Sequence, residues 1–201
     1  MKLSKNFSLV EMTKSQTALR RGIDNTPHPS VVGHMERLCE AVLQPVRDHF
    51  DRPVTITSGY RCPELCLAIG SKPTSQHAKG QAADFEVPGV SNMEVATWIA
   101  DNLEFDQLIL ECYTGGNTGW IHCSYVHEPR KELLTYDREN GYRKGLIDGR
   151  QCCRQLHQTE DAQTPVQRDQ GKQFLRHGQW EMVSSESAGS GPKIQSCRRR
   201  I

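Results

Sequence analysis

His77, Asp84 and His122 bring two imidazoles and one carboxylate within two short segments, 75–84 and 120–125. This donor set suits zinc, and three protein ligands leave a fourth tetrahedral position for water, as in a catalytic site rather than a structural one. Gly80 lets the chain turn sharply after His77. Ala82 to Val87 then alternates, with Ala83, Phe85 and Val87 on one face and Asp84 and Glu86 on the other. The alternation predicts a half-buried strand that carries Asp84 beside the turn of His77. Trp120, His122 and Ser124 share one face of a second predicted strand.

Other elements must hold these residues in place. Residues 108–112 read as an apolar strand ending near Glu111. The run 113–119, rich in Gly, Thr and Asn, reads as the turn of a hairpin with strand 120–125. Pairing Cys112 with Ile121 would set Glu111 opposite His122, where a carboxylate can serve as a general base or orient the imidazole. A shift of one residue would turn Glu111 to the other face. Val31, Met35, Leu38, Val42, Val46 and Phe50 predict an amphipathic helix over 29–51, kinked or broken by Pro45. Val54–Thr57 reads as a short strand leading through Ser58-Gly59-Tyr60 to Arg61. Ser91 and Glu94 are spaced as a capping box for a helix through Leu103, with Val95, Trp98 and Ile99 inward. Helices first, then a mostly antiparallel sheet interrupted by one helix, is an α+β layout.

The pattern Ser-x-His-x-x-Gly-x-Ala-x-Asp over 75–84, with Trp-Ile-His at 120–122, resembles the D-alanyl-D-alanine carboxypeptidase family of zinc metallopeptidases. That family shares its fold with the Hedgehog signalling domain and the vancomycin-resistance D,D-dipeptidases. The chain is similar to the short, single-domain branch of phages and bacteria, also through Phe7–Met12, Ile23–Pro27, Thr57–Arg61 and Phe105–Glu111. The likeness runs from about residue 3 to about residue 147. It implies one zinc ion on His77, Asp84 and His122, with Arg61 stabilising the transition state. Several relatives carry an acidic residue three positions before the last histidine, where this chain has Gly119, and Glu111 is the substitute the sequence offers. Ser75 is expected to hold the turn or bind substrate, and His127 to be a surface histidine. The resemblance implies a peptidoglycan stem peptide as substrate, cut by a carboxypeptidase or endopeptidase in an endolysin-like role. The alternatives are an inactive, zinc-stabilised wall-binding module and a structural virion component.

Composition sets outer bounds. The chain of 201 residues has room for one domain with a real core. A net charge of +1 carries no bulk signal for nucleic acid or a membrane surface. The start lacks an apolar leader core, so the expectation is cytoplasmic synthesis, with the wall reached after lysis or phage delivery. A monomer is expected. The eight cysteines are expected mainly as reduced thiols, with some disulfide or a second metal as the alternatives. Residues 1–147 read as the peptidase domain and 148–201 as a flexible tail. In 151–201 only seven residues are Leu, Ile, Val or Phe, too few for a core. Phe174 and Trp180 suggest a short docking element there, and Arg198–Arg200 a solvated end.

Overall fold

The computed structural model describes residues 1–148. The readings of a flexible tail, a docking element and a basic end lie outside the described residues.

Three helical pieces come first. Helix α1 (Leu9–Thr13) opens with a true capping box, in which Ser8 and Glu11 each bond the other's backbone N–H. Helix α2 (Gln16–Arg21) ends at Gly22, whose φ of 65° needs glycine's freedom. Helix α3 (Pro29–Leu38) then runs without a break through a π-helical turn (Cys39–Leu43) into α4 (Gln44–Phe50). The irregularity expected at Pro45 is present as the π-helical turn that ends two residues before it. Pro45 offers no N–H to the ladder, and the wider turn before it accommodates the missing bond.

Next come β1 (Thr55–Ser58), α5 (Pro63–Ala68), β2 (Ala82–Glu86) and α6 (Asn92–Asn102). Strands β3 (Gln107–Glu111), β4 (Trp120–Ser124), β5 (Glu132–Asp137) and β6 (Gly141–Lys144) complete the described fold. They form one open sheet in the order β1-β2-β4-β3-β5-β6. Every neighbouring pair is antiparallel except β3 with β5. The fold is α+β, as the element order implies.

The strand alternation divides the sheet into two faces. Ala83, Phe85, Leu108, Leu110, Ile121 and Cys123 are buried in one core with Met35, Leu38, Val42, Val46, Val95 and Ile99. Asp84, Ile109, Glu111 and His122 alternate with them along the strands and therefore share the opposite face. The capping box expected at Ser91 does not form. Ser91 caps α6 by position, but its hydroxyl bonds the Tyr113 hydroxyl at 3.1 Å. The adjoining Asn92 is buried and donates to the Thr118 carbonyl at 3.0 Å, so the start of α6 anchors the β3–β4 turn. Among the described residues no helix is long and apolar enough to cross a membrane.

Candidate metal centre

The His77 turn is built by close backbone packing. A side chain at Gly59 would collide with the Met12 carbonyl, and the neighbouring Tyr60 N–H donates to that same oxygen at 2.6 Å. This fixes the segment between β1 and α5 against α1. The Gly59 carbonyl then accepts from His77 Nδ1 at 2.7 Å. Gly80, with φ 68°, lies so close to Val31 that a Cβ would sit 2.9 Å from the Val31 carbonyl. Ser75 Oγ accepts weakly from the Ala78 N–H at 3.4 Å, which fits its expected role of holding the turn. It also lines the cavity over the site.

A second set of bonds ties this turn to the sheet. Gln76 donates to Asp106 Oδ2 at 2.7 Å, and Arg130 grips both Asp106 oxygens at 2.9 and 2.8 Å. These bonds, led by Arg130, hold the Asp106 carboxyl down at about 2. Sequence reasoning missed this link. Gln76 and Asp106 lie inside the segments that carry the resemblance, but nothing in their spacing says that they meet.

The three expected ligands converge. His122 Nδ1 lies 2.9 Å from Asp84 Oδ1 and 3.2 Å from His77 Nε2, and His77 Nε2 lies 3.3 Å from Asp84 Oδ1. All three residues are buried. Asp84 and His122 are direct partners across β2 and β4, which explains their approach. Burial alone would raise the Asp84 carboxyl, but His77 and His122 beside it hold it well below the usual carboxylate range. Desolvation lowers His77, which favours its neutral ring.

The protons decide what this triangle can hold. A carbonyl only accepts, so His77 Nδ1 carries the ring proton toward Gly59 and Nε2 presents a lone pair. Ionised Asp84 Oδ1 faces that lone pair with another, and one proton on His122 Nδ1 cannot satisfy both. A cation between them can. Tetrahedral zinc with bonds of about 2.0–2.1 Å separates its ligand atoms by roughly 3.3–3.4 Å, close to the distances found. The residues therefore fit a zinc ion, and theirs is the one such His/Cys/Asp/Glu cluster among the described residues.

Arg61 and Glu111 flank the triangle. Arg61 Nη2 donates to Asp84 Oδ2 at 3.1 Å, on the carboxylate oxygen turned away from the imidazoles. Its Nε is buried without a hydrogen-bond partner. Glu111 does not face His122 as expected. It pairs with Trp120, and Ile109 stands opposite His122. The shift is two residues rather than one, so Glu111 keeps the site face. It lines the same open cavity as His77, Asp84, His122 and Arg61. Tyr136 and Tyr142 of β5 and β6 extend that lining, with ring centroids 4.7 Å apart. Their strands reach the site through a non-local parallel pairing that local sequence pattern does not encode.

Gly119 has φ 70°, and a side chain there would collide with the Glu111 carbonyl. The position that is acidic in several relatives therefore cannot carry a side chain in this turn. His127 is exposed, as expected. Cys39, Cys62, Cys66 and Cys123 are free, whereas Cys112 is disulfide-bonded, so the expectation of reduced thiols fails at Cys112.

No curated protein matches the chain. Residues 5–124, more than half of its length, match the family described as Peptidase M15. That span contains His77, Asp84, His122, Arg61 and Glu111, and the chain belongs to the Peptidase M15 family, whose members are zinc-dependent metallopeptidases.

Proposed function

We propose that the chain is a zinc peptidase that hydrolyses peptide bonds in peptidoglycan stem peptides, acting as an endolysin-like wall-degrading enzyme. The observation that carries this reading is the triangle of inward-facing ligand atoms on His77, Asp84 and His122, set in an open cavity beside Arg61 and Glu111. The stem peptide as substrate rests on the sequence resemblance.

His77, Asp84 and His122 would hold a zinc ion, which would supply Lewis acidity and lower the pKa of a bound water to about 7. Glu111 takes a proton from the attacking water and returns it to the departing amine, so each cycle restores the carboxylate. Arg61 donates to the carbonyl oxygen as charge builds there. A guanidinium suits this role because it stays charged and presents several donors in a fixed plane. Asp84 takes part twice, with Oδ1 turned to the metal position and Oδ2 holding Arg61 beside it. Gly59 fixes the His77 tautomer that leaves Nε2 free to ligate.

The test is to replace Glu111 and follow two properties together. Glu111→Gln should keep stoichiometric zinc and lose turnover on stem-peptide substrates. Full turnover in that variant would remove Glu111 from the mechanism. A wild type that binds zinc but cleaves no wall peptide would favour the binding module.

A further inference from the structure

We infer that Asn25 is a positioning residue for Arg61, acting through the backbone on either side of it. The inference rests on the peptidase reading above, in which Arg61 meets the carbonyl oxygen. Arg61 lies between β1, which ends at Ser58, and α5, which begins at Pro63. No strand ladder or helix holds residues 59–62. Arg61's own N–H makes a long bond to the His77 carbonyl, at 3.3 Å.

Asn25 supplies what the ladder does not. Its Nδ2 donates to the Tyr60 carbonyl at 3.1 Å, and its Oδ1 accepts from the Cys62 N–H at 2.7 Å. One side-chain amide thus grips the backbone immediately before and immediately after Arg61. The second Nδ2 hydrogen goes to the Thr13 carbonyl at 2.8 Å, at the C-terminal end of α1. Both amide hydrogens and the oxygen are in use, which ties the Arg61 segment to the helical layer.

The chemistry of the clamp is specific. Two carbonyls and one N–H converge on it, so it needs two donors and one acceptor on one short side chain. Asp keeps the acceptor but sets a charge against two carbonyl oxygens, and Ser has one donor in place of two. The Ile23–Pro27 segment otherwise has no part in the site, and this gives it one. The effect reaches the guanidinium because a small backbone rotation at Arg61 is amplified along its long side chain. A misplacement of about 1 Å in a catalytic constellation can cost about 100-fold in rate.

A double-mutant cycle on the full-length, zinc-loaded protein tests this. Asn25→Ala should lower kcat on a stem-peptide substrate by about 10- to 100-fold, with KM changed less than about threefold and zinc content unchanged. In an Arg61→Ala background the same change should alter kcat by less than about threefold, because the residue it positions is gone. Equal losses in both backgrounds would overturn the inference. A second readout needs no turnover and a milder variant. The buried Arg61 Nε–H signal in NMR, identified by its loss in Arg61→Lys, should exchange with water at least about tenfold faster in Asn25→Asp as the clamp opens. Unchanged exchange there would also overturn the inference. A protein without peptidase activity that still shows faster exchange would leave the clamp standing and remove the peptidase reading.

Discussion

Glu111 stands opposite Trp120 across β3 and β4, two residues along the strands from the Ile109–His122 pair. Both pairs point to the site face, so the Glu111 carboxylate approaches the metal position from a diagonal rather than from directly across. Glu111 lines the same cavity as the ligand triangle and is the general base of the proposed mechanism. Glu111→Gln is therefore expected to reduce kcat by about 10²- to 10⁴-fold while zinc binding stays stoichiometric. Parallel zinc analysis and steady-state kinetics check it. Loss of zinc in this variant would show that Glu111 supports the ligands instead.

Gly119 should not accept the acidic residue that several relatives carry at that position. A left-handed backbone costs a non-glycine residue about 1–2 kcal/mol, and the collision with the Glu111 carbonyl adds to it. Gly119→Glu should lower stability by about 3 kcal/mol or more, a fall in Tm of roughly 6–12 °C for a domain of this size. Thermal unfolding measures it. A variant with wild-type Tm would mean that the β3–β4 turn can adopt another path.

The pattern along the chain foretold some of this and not the rest. The turn at His77 and the faces of Asp84 and His122 follow from local signals, a glycine after the first histidine and period-two alternation around the other two, while their grouping as one ligand set rests chiefly on the family resemblance. The face of Glu111 was legible for the same reason, since alternation fixes faces. Its partner was not, because a hairpin's register depends on turn geometry, and the positive φ values of Cys112, Gly115, Gly116 and Gly119 are hard to foresee. Ser91-x-x-Glu94 has the spacing of a capping box, yet Tyr113 claims the Ser91 hydroxyl from 22 residues away. Non-local bonds of this kind, including Gln76–Asp106 and Asn25–Cys62, leave no trace in local spacing.

The Asp106 link should appear as a pH-dependent stability. Its folded carboxyl is at about 2, below the ordinary aspartate value of 3.8, so the unfolded chain binds the proton first. Its contribution is complete above about pH 4 and is lost as pH falls toward 2. Arg130 is more than half exposed, so screening leaves about 1–2 kcal/mol. Urea unfolding of wild type and Asp106→Asn should differ by that amount at pH 7 and converge between pH 4 and pH 2. A difference that stays constant over that range would assign the effect to packing rather than to the charge.

Zinc should also stabilise the fold through the ligand triangle. Free zinc at 100 times its Kd contributes about 2.7 kcal/mol, which should raise Tm by roughly 5–10 °C. His77→Ala should abolish that rise. An equal rise in wild type and His77→Ala would place the bound zinc elsewhere.

Mass spectrometry of muropeptides from purified sacculi, incubated with the zinc-loaded protein, tests the central claim most directly. Chelated protein and His77→Ala serve as controls. The expected result is new stem-peptide fragments with the zinc-loaded wild type alone, whose masses name the bond that is cut. Sacculi of several wall chemistries left intact by a protein carrying stoichiometric zinc would contradict the peptidase reading.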